Sequence, residues 1–553
     1  MIPYRTIRLC GYVVLFGAVL LAFLPCVGND FVDWDDHAFV THNYSIMSLS
    51  YGSLVWMFTT SYQGVWHPLT WLSHALDISL WGLNPFYHHL INVLFHCLNV
   101  LLFGTICIKL QDGFNRTPLS MYLAAFTAAL LFGVHPLRVE SVAWVAERKD
   151  VLCSFFYLCT IASYLEYCKA EEKRARRIWY GAAILLYVPA LLSKPMAVTA
   201  PLVMLILDFY PLGRLRGASV WRCLYEKIPF VIPALGTAIM NMASTKGGIA
   251  LSYVPIYVRV MNGFHSIALY LQKTVWPSKL VPLYQLDRSL DYFSAKYVTS
   301  ALLVLAVTVA AVWRAVRNDR IWAAVWFYYI VTLGPTLGLF MSFRHASADR
   351  YTYLPTMGIW LLVGLGVARI WDACSRRQRG YALKVVLVSS VFLAALAYAY
   401  QTREQIGVWK NSDTLWTHVI ETAENIPAVA YFGVGQASAK KGEFDKALGY
   451  YEAALRINPK NSNFRRAIAN VFAKKGDREK ALSIYRQILD MEPGNPVAHI
   501  NVGRVLTLMG RTDEALSNLE RALKLDPKNG RAWGLLTATH LERNDREKAL
   551  YCY

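Results

Sequence analysis

The residues best suited to acid–base chemistry lie in Asn29-Asp-Phe-Val-Asp-Trp-Asp-Asp-His37. There Asp33, Asp35 and Asp36 stand among Phe31, Trp34 and Phe39. Neighbouring carboxylates shielded by aromatic rings can share a proton, hold a divalent cation, or leave one of the pair as general base towards a hydroxyl. The plainer reading of such a cluster is a solvated acidic loop. His42, His67, His74, His88, His89 and His96 follow, and no lysine or arginine occurs between Arg8 and Lys109. A second group of charges sits in His135-Pro-Leu-Arg-Val-Glu-Ser-Val-Ala-Trp-Val-Ala-Glu-Arg-Lys-Asp150, with Lys194 and the pair Asp349-Arg350 farther along. Arginine grips a phosphate through a bidentate fork and lysine as a point charge, so Arg148, Lys149, Lys194 and Arg350 form a candidate anion site. Ion pairing with Glu147 and Asp150 is the alternative.

These groups must be held by membrane helices. The chain has 553 residues, 55% of them hydrophobic and 14% aromatic, with a net charge of +19. That composition describes a polytopic membrane protein over most of its length. Apolar segments near 9–27, 88–109, 119–135, 151–168, 178–193, 196–210, 229–245, 298–313, 321–341, 354–372 and 382–400 predict about eleven or more spans, with 249–297 ambiguous. The first reads as a retained anchor rather than a cleaved signal.

Five short connections are basic: Lys109 with Arg116; Lys169 to Arg177; Arg214 to Lys227; Arg314 to Arg320; and Arg376 to Lys384. With Arg5 and Arg8 inside, all five fall on the cytoplasmic side if 249–297 crosses an even number of times, as the positive-inside rule requires. The acidic loop is then extracytoplasmic, and Arg148-Lys149 are cations placed against the bias. The surplus positive charge faces membrane lipids; no basic module with interleaved aromatics points to nucleic acid. Ten cysteines are scattered without a Cys-x-x-Cys pair, which argues against a zinc site or a disulfide framework.

Within the second span His89, Asn92, His96 and Asn99 share one helix stripe. They face either a substrate groove or neighbouring helices. Pro136 ends the third span, and 137–150 fits an amphipathic helix with Glu140 and Glu147 on one face.

After Tyr400 the composition turns charged and alanine-rich, with a 34-residue period over 428–461, 462–495 and 496–529 and a partial fourth unit. Gly442, Gly476 and Gly510 recur, as do Ala447, Ala481 and Ala515, Pro459, Pro493 and Pro527, and Asn461, Asn495 and Asn529. Small residues at the Gly and Ala positions are expected to let paired helices pack closely, and each Pro to stop the second helix. This is a tetratricopeptide signature, whose arrays bind peptides or proteins on a concave face. The expected division is a membrane domain over 1–400, a connecting helix or half-repeat over 401–427, and repeats over 428–553. By the span count, the repeats lie on the side of the acidic loop.

Asp-Phe-Val-Asp-Trp-Asp-Asp (30–36), Trp-His-Pro-Leu-Thr-Trp-Leu-Ser-His (66–74), the 135–150 segment, Leu-Ser-Lys-Pro-Met-Ala-Val-Thr (192–199), Leu-Asp-Phe-Tyr-Pro-Leu-Gly-Arg (207–214) and Ala-Asp-Arg-Tyr-Thr-Tyr-Leu-Pro (348–355) together resemble one family. It joins a C-type glycosyltransferase (GT-C) fold to tetratricopeptide repeats; its eukaryotic members are O-mannosyltransferases, and the wording here is closer to the bacterial branch. The resemblance covers essentially the whole chain. It departs at 282–287, Pro-Leu-Tyr-Gln-Leu-Asp, and at Arg138, where His is common.

The resemblance implies an all-α, GT-C-like bundle whose first outer loop covers a cavity, followed by a repeat solenoid. It implies transfer of a hexose such as mannose from a polyprenyl-phosphate sugar to an extracytoplasmic protein or peptide held by the repeats. The base role maps to Asp35 and Asp36, with Asp35 preferred. His67, His89, His135, Arg138, Glu140, Arg148, Lys149, Lys194, Asp349 and Arg350 are expected to line the donor site. No cofactor beyond the lipid donor is required, although a divalent cation fits the carboxylates; the metal is undefined. The setting is the bacterial inner membrane, or the endoplasmic reticulum in a eukaryote. A glycan or lipid acceptor is one competing reading, and an inert membrane-anchored scaffold for the repeats is another.

Overall fold

A computed structural model describes residues 4–112, 116–215, 219–244, 255–285, 292–339, 347–376 and 380–552. Arg216, Arg377, Arg379, Leu286, Asp287 and parts of 249–297 and 342–353 lie outside them. The described chain is all-α, its only β pairing being the isolated bridges Tyr62–Val65 and Tyr284–Ser347. Two compact units divide at Leu415 and Trp416.

Among the described residues of the first unit, six helices are long and apolar enough to cross a membrane: Tyr4–Gly28, Pro85–Leu110, Val145–Lys169, Ala295–Val316, Met357–Ser375 and Gly380–Val408. Counting each bent pair as one span raises the number to eight. This corrects the expectation of about eleven. Every expected segment is helical, but several are broken or short. Pro118–Gly133 bends by 60° into Pro136–Ala143, because Pro136 has no amide proton to continue the ladder. Pro195–Phe209 and Ile321–Thr336 are apolar but short, and Lys173–Ser193 opens on four cations. Helix starts follow the local chemistry: Asn84 and Thr117 cap the helices that begin at Pro85 and Pro118.

The acidic loop packs against neighbouring membrane helices. Tyr51–Thr59 and Pro68–Trp81 are its two helices, closed on a small core of Ile46, Met57, Trp71 and Ala75. Tyr44, Tyr51, Phe58 and Leu80 stay exposed, an apolar surface suited to a membrane interface. The segment 136–150 is not the single amphipathic helix expected. It runs as Pro136–Arg138, Val139–Ala143 and Val145–Glu147, broken at the extended residue Trp144, before Arg148 opens the next span. The cause is burial: Glu140, Glu147 and Arg148 are enclosed on all sides, so the segment has no solvent face.

The second unit stacks helix pairs, from Ala428–Lys440 with Phe444–Ile457 to Gly530–Glu542 with Arg546–Cys552. Ala447, Ala481 and Ala515 are fully buried between paired helices, as expected. Gly442, Gly476 and Gly510 are not packing residues. A Cβ at each would meet nothing, and their φ values of +81°, +89° and +75° show that they close the first helix in the left-handed conformation. The close approaches are made by Gly435 against Tyr451 and Gly503 against Leu519. Asn461, Asn495 and Asn529 open the next helix rather than end the unit, each side chain accepting from an amide in its first turn.

Candidate active site

The three loop carboxylates, adjacent in sequence, are sorted into different roles. Asp33 pairs with His37 in the next helical turn, and its amide donates to Ser412 Oγ at 2.6 Å. Asp36 is buried, and both its oxygens are occupied by backbone: Oδ2 accepts from the Val32 amide at 2.9 Å and Oδ1 from the Ala146 amide at 2.8 Å. Burial pushes its carboxyl up to about 7, against the pull of those two amides. Asp36 is therefore a brace. Asp35 is left as the largely buried carboxylate that feels Lys149, Glu147 and Arg350; burial raises its pKa above the ordinary value, and the two cations oppose that rise. Among the described residues no hydrogen bond joins Asp35 to Asp36, but the Asp35 charge adds to the rise in the Asp36 pKa.

Opposite Asp35 lies a buried ion cluster centred on Glu147. Lys149 Nζ is 2.9 Å from it, Lys194 Nζ 3.2 Å and Arg350 Nε 3.4 Å. Lys194 also contacts Asp150. Glu140 Oε2 accepts from the Arg350 amide at 2.8 Å, and its Oε1 meets the guanidinium. Burial works to lower the Lys194 pKa, but Asp150 and Glu147 hold it above the ordinary value, so the ammonium stays charged. Three cations thus converge at the end of the break in 136–150, as a phosphate site needs. Trp34 stacks on Trp144 at 4.5 Å, Trp144 on Trp409 at 5.5 Å, and the Arg350 guanidinium lies over Trp144 at 5.5 Å. This aromatic wall was not singled out in the sequence; three tryptophans so far apart carry no local signal.

The remaining candidates separate. His67 is buried against Phe39 and Trp71 and feels Lys149, Glu147 and Lys194; burial holds it well below its usual pKa, hence neutral. Asp349 accepts from the Tyr284 hydroxyl at 2.9 Å and is pushed up to about 7 by burial. It lines a small crevice with Glu140, Pro282 and Trp409. Arg138 is turned away from the cluster. Its guanidinium donates to the carbonyls of Thr352 and Tyr353 and to Thr352 Oγ1 at 2.9–3.0 Å, fastening the 349–353 turn that carries Arg350. His135 is a cap and spacer, accepting from the Leu137 amide at 3.2 Å with Nε2 3.1 Å from the Thr274 carbonyl.

Arg148 also stands apart from the other three cations. It is fully buried among Asp77 (2.7 Å), Asn92, Ser73 (2.9 Å) and the His88 carbonyl (2.8 Å). In the stripe of His89, Asn92, His96 and Asn99, the last three tie their helix to its neighbours. Asn92 donates to the carbonyls of Val142 and Trp144, Asn99 donates to that of Val151, and His96 bonds the Tyr353 hydroxyl at 2.7 Å. His89 is buried in the same stripe.

Among the described residues, the one grouping able to hold a metal is His74, Asp77 and His88. The two imidazole Nδ1 atoms lie 3.4 Å apart, and Asp77 Oδ2 is 3.4 Å from His88. Two imidazoles and a carboxylate suit a dication such as zinc, but the Arg148 guanidinium occupies the same Asp77 oxygen and opposes a second positive charge there. This group is not the Asp33, Asp35 and Asp36 cluster where a cation was expected.

The tetratricopeptide repeat family model matches residues 438–500, 472–517 and 506–550. The chain is 22% identical over 443 residues to human "Protein O-mannosyl-transferase TMTC1", covering 72% of this chain and 48% of that protein. It is 23% identical to Drosophila melanogaster "Protein O-mannosyl-transferase Tmtc3", covering 71% and 48%. It is also 23% identical to human "Protein O-mannosyl-transferase TMTC4", covering 79% and 65%. The chain therefore spans about half the length of the first two relatives. The solved structure "MamA MSR-1 C2" aligns with 26% of this chain and 82% of its own at 18% identity and a TM-score of 0.23, too low to argue from. The chain is a multi-pass membrane protein with tetratricopeptide repeats, distantly similar to these O-mannosyltransferases.

Proposed function

We propose that the chain is a membrane glycosyltransferase of GT-C type that moves a hexose, such as mannose, from a polyprenyl-phosphate donor to hydroxyls of an extracytoplasmic protein. The observation that carries this reading is the position of Asp35. It is a base raised by burial, free of the brace that occupies Asp36, and within the field of Lys149 and Arg350. Asp35 takes the proton of the acceptor hydroxyl as its oxygen attacks the anomeric carbon. The bond from that carbon to the phosphate oxygen breaks, the configuration inverts, and the polyprenyl phosphate leaves with the bonding pair. Lys149, Lys194 and Arg350 stabilise charge growing on that phosphate. The stacked Trp34 and Trp144 supply a flat apolar wall of the kind a sugar ring lies against.

The repeats bind the acceptor in this reading. Distant similarity to proteins named O-mannosyl-transferases supports the sugar and the acceptor class. The test is mass spectrometry of the secreted proteome from cells carrying the wild-type gene or Asp35→Asn. Hexose on protein hydroxyls that disappears with the variant supports the proposal; an unchanged proteome removes it.

A second reading has its own observation. Lys149, Lys194 and Arg350 are already balanced by Glu147, Asp150 and Glu140. That balance makes the cluster a structural network in a chain acting as a membrane-anchored scaffold. Binding of the donor phosphate requires these cations to exchange partners, which the cation variants considered in the Discussion would detect.

A further inference from the structure

The loop that carries Asp35 is fastened to the 406–412 turn, where the Gly380–Val408 helix ends and the Ser412–Thr422 helix begins. Asn29 Nδ2 donates to the Ile406 carbonyl at 3.2 Å, the Asp30 amide to the Lys410 carbonyl at 2.8 Å and the Asp33 amide to Ser412 Oγ at 2.6 Å. Trp409 of the same turn stacks on Trp144, which also stacks on Trp34. Asn29, Trp409 and Ser412 are all buried. The ties are therefore made away from water, where a hydrogen bond is strong and an unmade one is costly. The turn itself takes no part in the proposed transfer chemistry.

These ties hold one end of the stretch that sets Asp35. The other end is Asp36, which accepts from the amides of Val32 and Ala146. A residue spans at most about 3.6 Å of chain. Asp35, two residues from the Ser412 tie and one from the Ala146 tie, has little room to move while both hold. A general base must stay within hydrogen-bond reach of the hydroxyl it deprotonates, and a misplacement of about 1 Å can cost about 100-fold in rate. Two of the three ties end on main-chain carbonyls, which no side-chain substitution in the turn removes. The third ends on the Ser412 hydroxyl, so it is the one that the identity of a turn residue controls.

We propose that the 406–412 turn is the seat that positions Asp35, with Ser412 as its positioning residue. The inference rests on Asp35 being the base of sugar transfer, and adds that the segment leading out of the last span sets where this base stands. Ser412 touches neither sugar nor phosphate in this account and acts through the Asp33 amide, 379 residues away in the chain. Without its hydroxyl the 33–35 turn lifts from its buried place, and Asp35 occupies its reactive position less often. Lys149, Lys194 and Arg350 stay where they are, because none of them is held by this turn. The loss therefore falls on the chemical step and spares donor binding.

The test uses the full chain in detergent, as wild type, Ser412→Ala, Ser412→Thr and Asn29→Ala, in two measurements. Hydrogen exchange read by mass spectrometry, which needs no sugar transfer, should quicken across 30–36 in Ser412→Ala and stay at the wild-type rate in Ser412→Thr, which keeps an Oγ. Initial rates with polyprenyl-phosphate mannose and a short serine peptide should show kcat lowered about tenfold in Ser412→Ala, donor KM unchanged, and kcat restored in Ser412→Thr. The acid limb of the pH–rate profile should move down in Ser412→Ala, towards the ordinary carboxylate range, because burial is what raises Asp35. Asn29→Ala cuts the tie to Ile406 and should show the same loss confined to kcat, which keeps the test open if Ser412→Ala fails to fold. Unchanged exchange over 30–36, a kcat within about twofold of wild type, or a donor KM that rises as far as kcat falls overturns the inference. So does a threonine variant that behaves like the alanine one. Transfer that Asp35→Asn abolishes and Ser412→Ala leaves intact sinks this inference alone; transfer that Asp35→Asn leaves intact removes the proposed function as well.

Discussion

Asp36 and Ala146 are joined by a 2.8 Å hydrogen bond from the Ala146 amide to the Asp36 carboxylate. The bond fixes the acidic loop to the residue directly before Glu147, the hub of the cation cluster. Asp36 thereby spends its charge on geometry, and Asp35 beside it is left to face the cluster. The division of labour between two adjacent aspartates follows from this one contact and its Val32 companion.

Asp35→Asn should reduce sugar transfer by at least about 100-fold, the weight of a general base. Asparagine keeps the size of the side chain and cannot accept the proton. Helical content and membrane insertion should be unchanged by circular dichroism and fractionation. Since burial raises the Asp35 pKa above 3.8, the acid limb of the wild-type pH–rate profile should lie above that value and vanish in the residual activity of the variant.

Asp36→Ala leaves the amides of Val32 and Ala146 without their acceptor, at a cost of about 1–3 kcal/mol for each buried group. A lower Tm should be the primary defect, with lost activity following from the loosened loop. The folded state binds the Asp36 proton more tightly than the unfolded state, with the pKa pushed up from 3.8 to about 7. Its contribution to stability is thus full below about 4 and is lost as pH rises through 7. In Asp36→Asn this component disappears, so the difference in Tm between pH 5 and pH 8 should shrink. An unchanged difference would assign the proton elsewhere.

Lys149→Met or Lys194→Met should raise the apparent donor requirement far more than the acceptor requirement. Equal effects on both would favour the structural ion-pair network. Arg148→Met should behave differently, because it strands buried Asp77 and costs about 3–5 kcal/mol without selective effect on the donor. Thermal unfolding and initial-rate kinetics on the same preparations separate the two outcomes.

Cysteines introduced at exposed positions of 28–86 and 401–552 should label from outside intact cells, and those at exposed positions of 169–177 only after permeabilisation. Labelling of the repeats only after permeabilisation would undo the extracytoplasmic assignment.

Deletion of 428–553 should spare transfer to a short soluble acceptor and weaken transfer to a full-length one, as loss of a remote binding surface does. Equal loss with both acceptors, in a membrane unit that remains folded, would place the array inside the active site.

The sequence by itself determined what depends on period and composition. The 34-residue repeat, the apolar segments and the acidic, cation-free loop all emerge as expected because a helix face, a membrane core and a run of like charges are local patterns. It also brought Arg148, Lys149, Lys194 and Arg350 forward as one set of cations, and the resemblance added Asp35 and Asp36 as the base. Tertiary structure alone decided which charges meet. Arg148 and Lys149 are neighbours in the chain, yet Arg148 turns to Asp77 while Lys149 reaches Glu147, because successive helical side chains point about 100° apart. The break at Trp144, unlike the bend that Pro136 announces in the sequence, was likewise beyond periodicity. It arises because a fully buried segment is shaped by the partners of its polar groups, Thr352 for Arg138 and the Arg350 amide for Glu140, which lie some two hundred residues away.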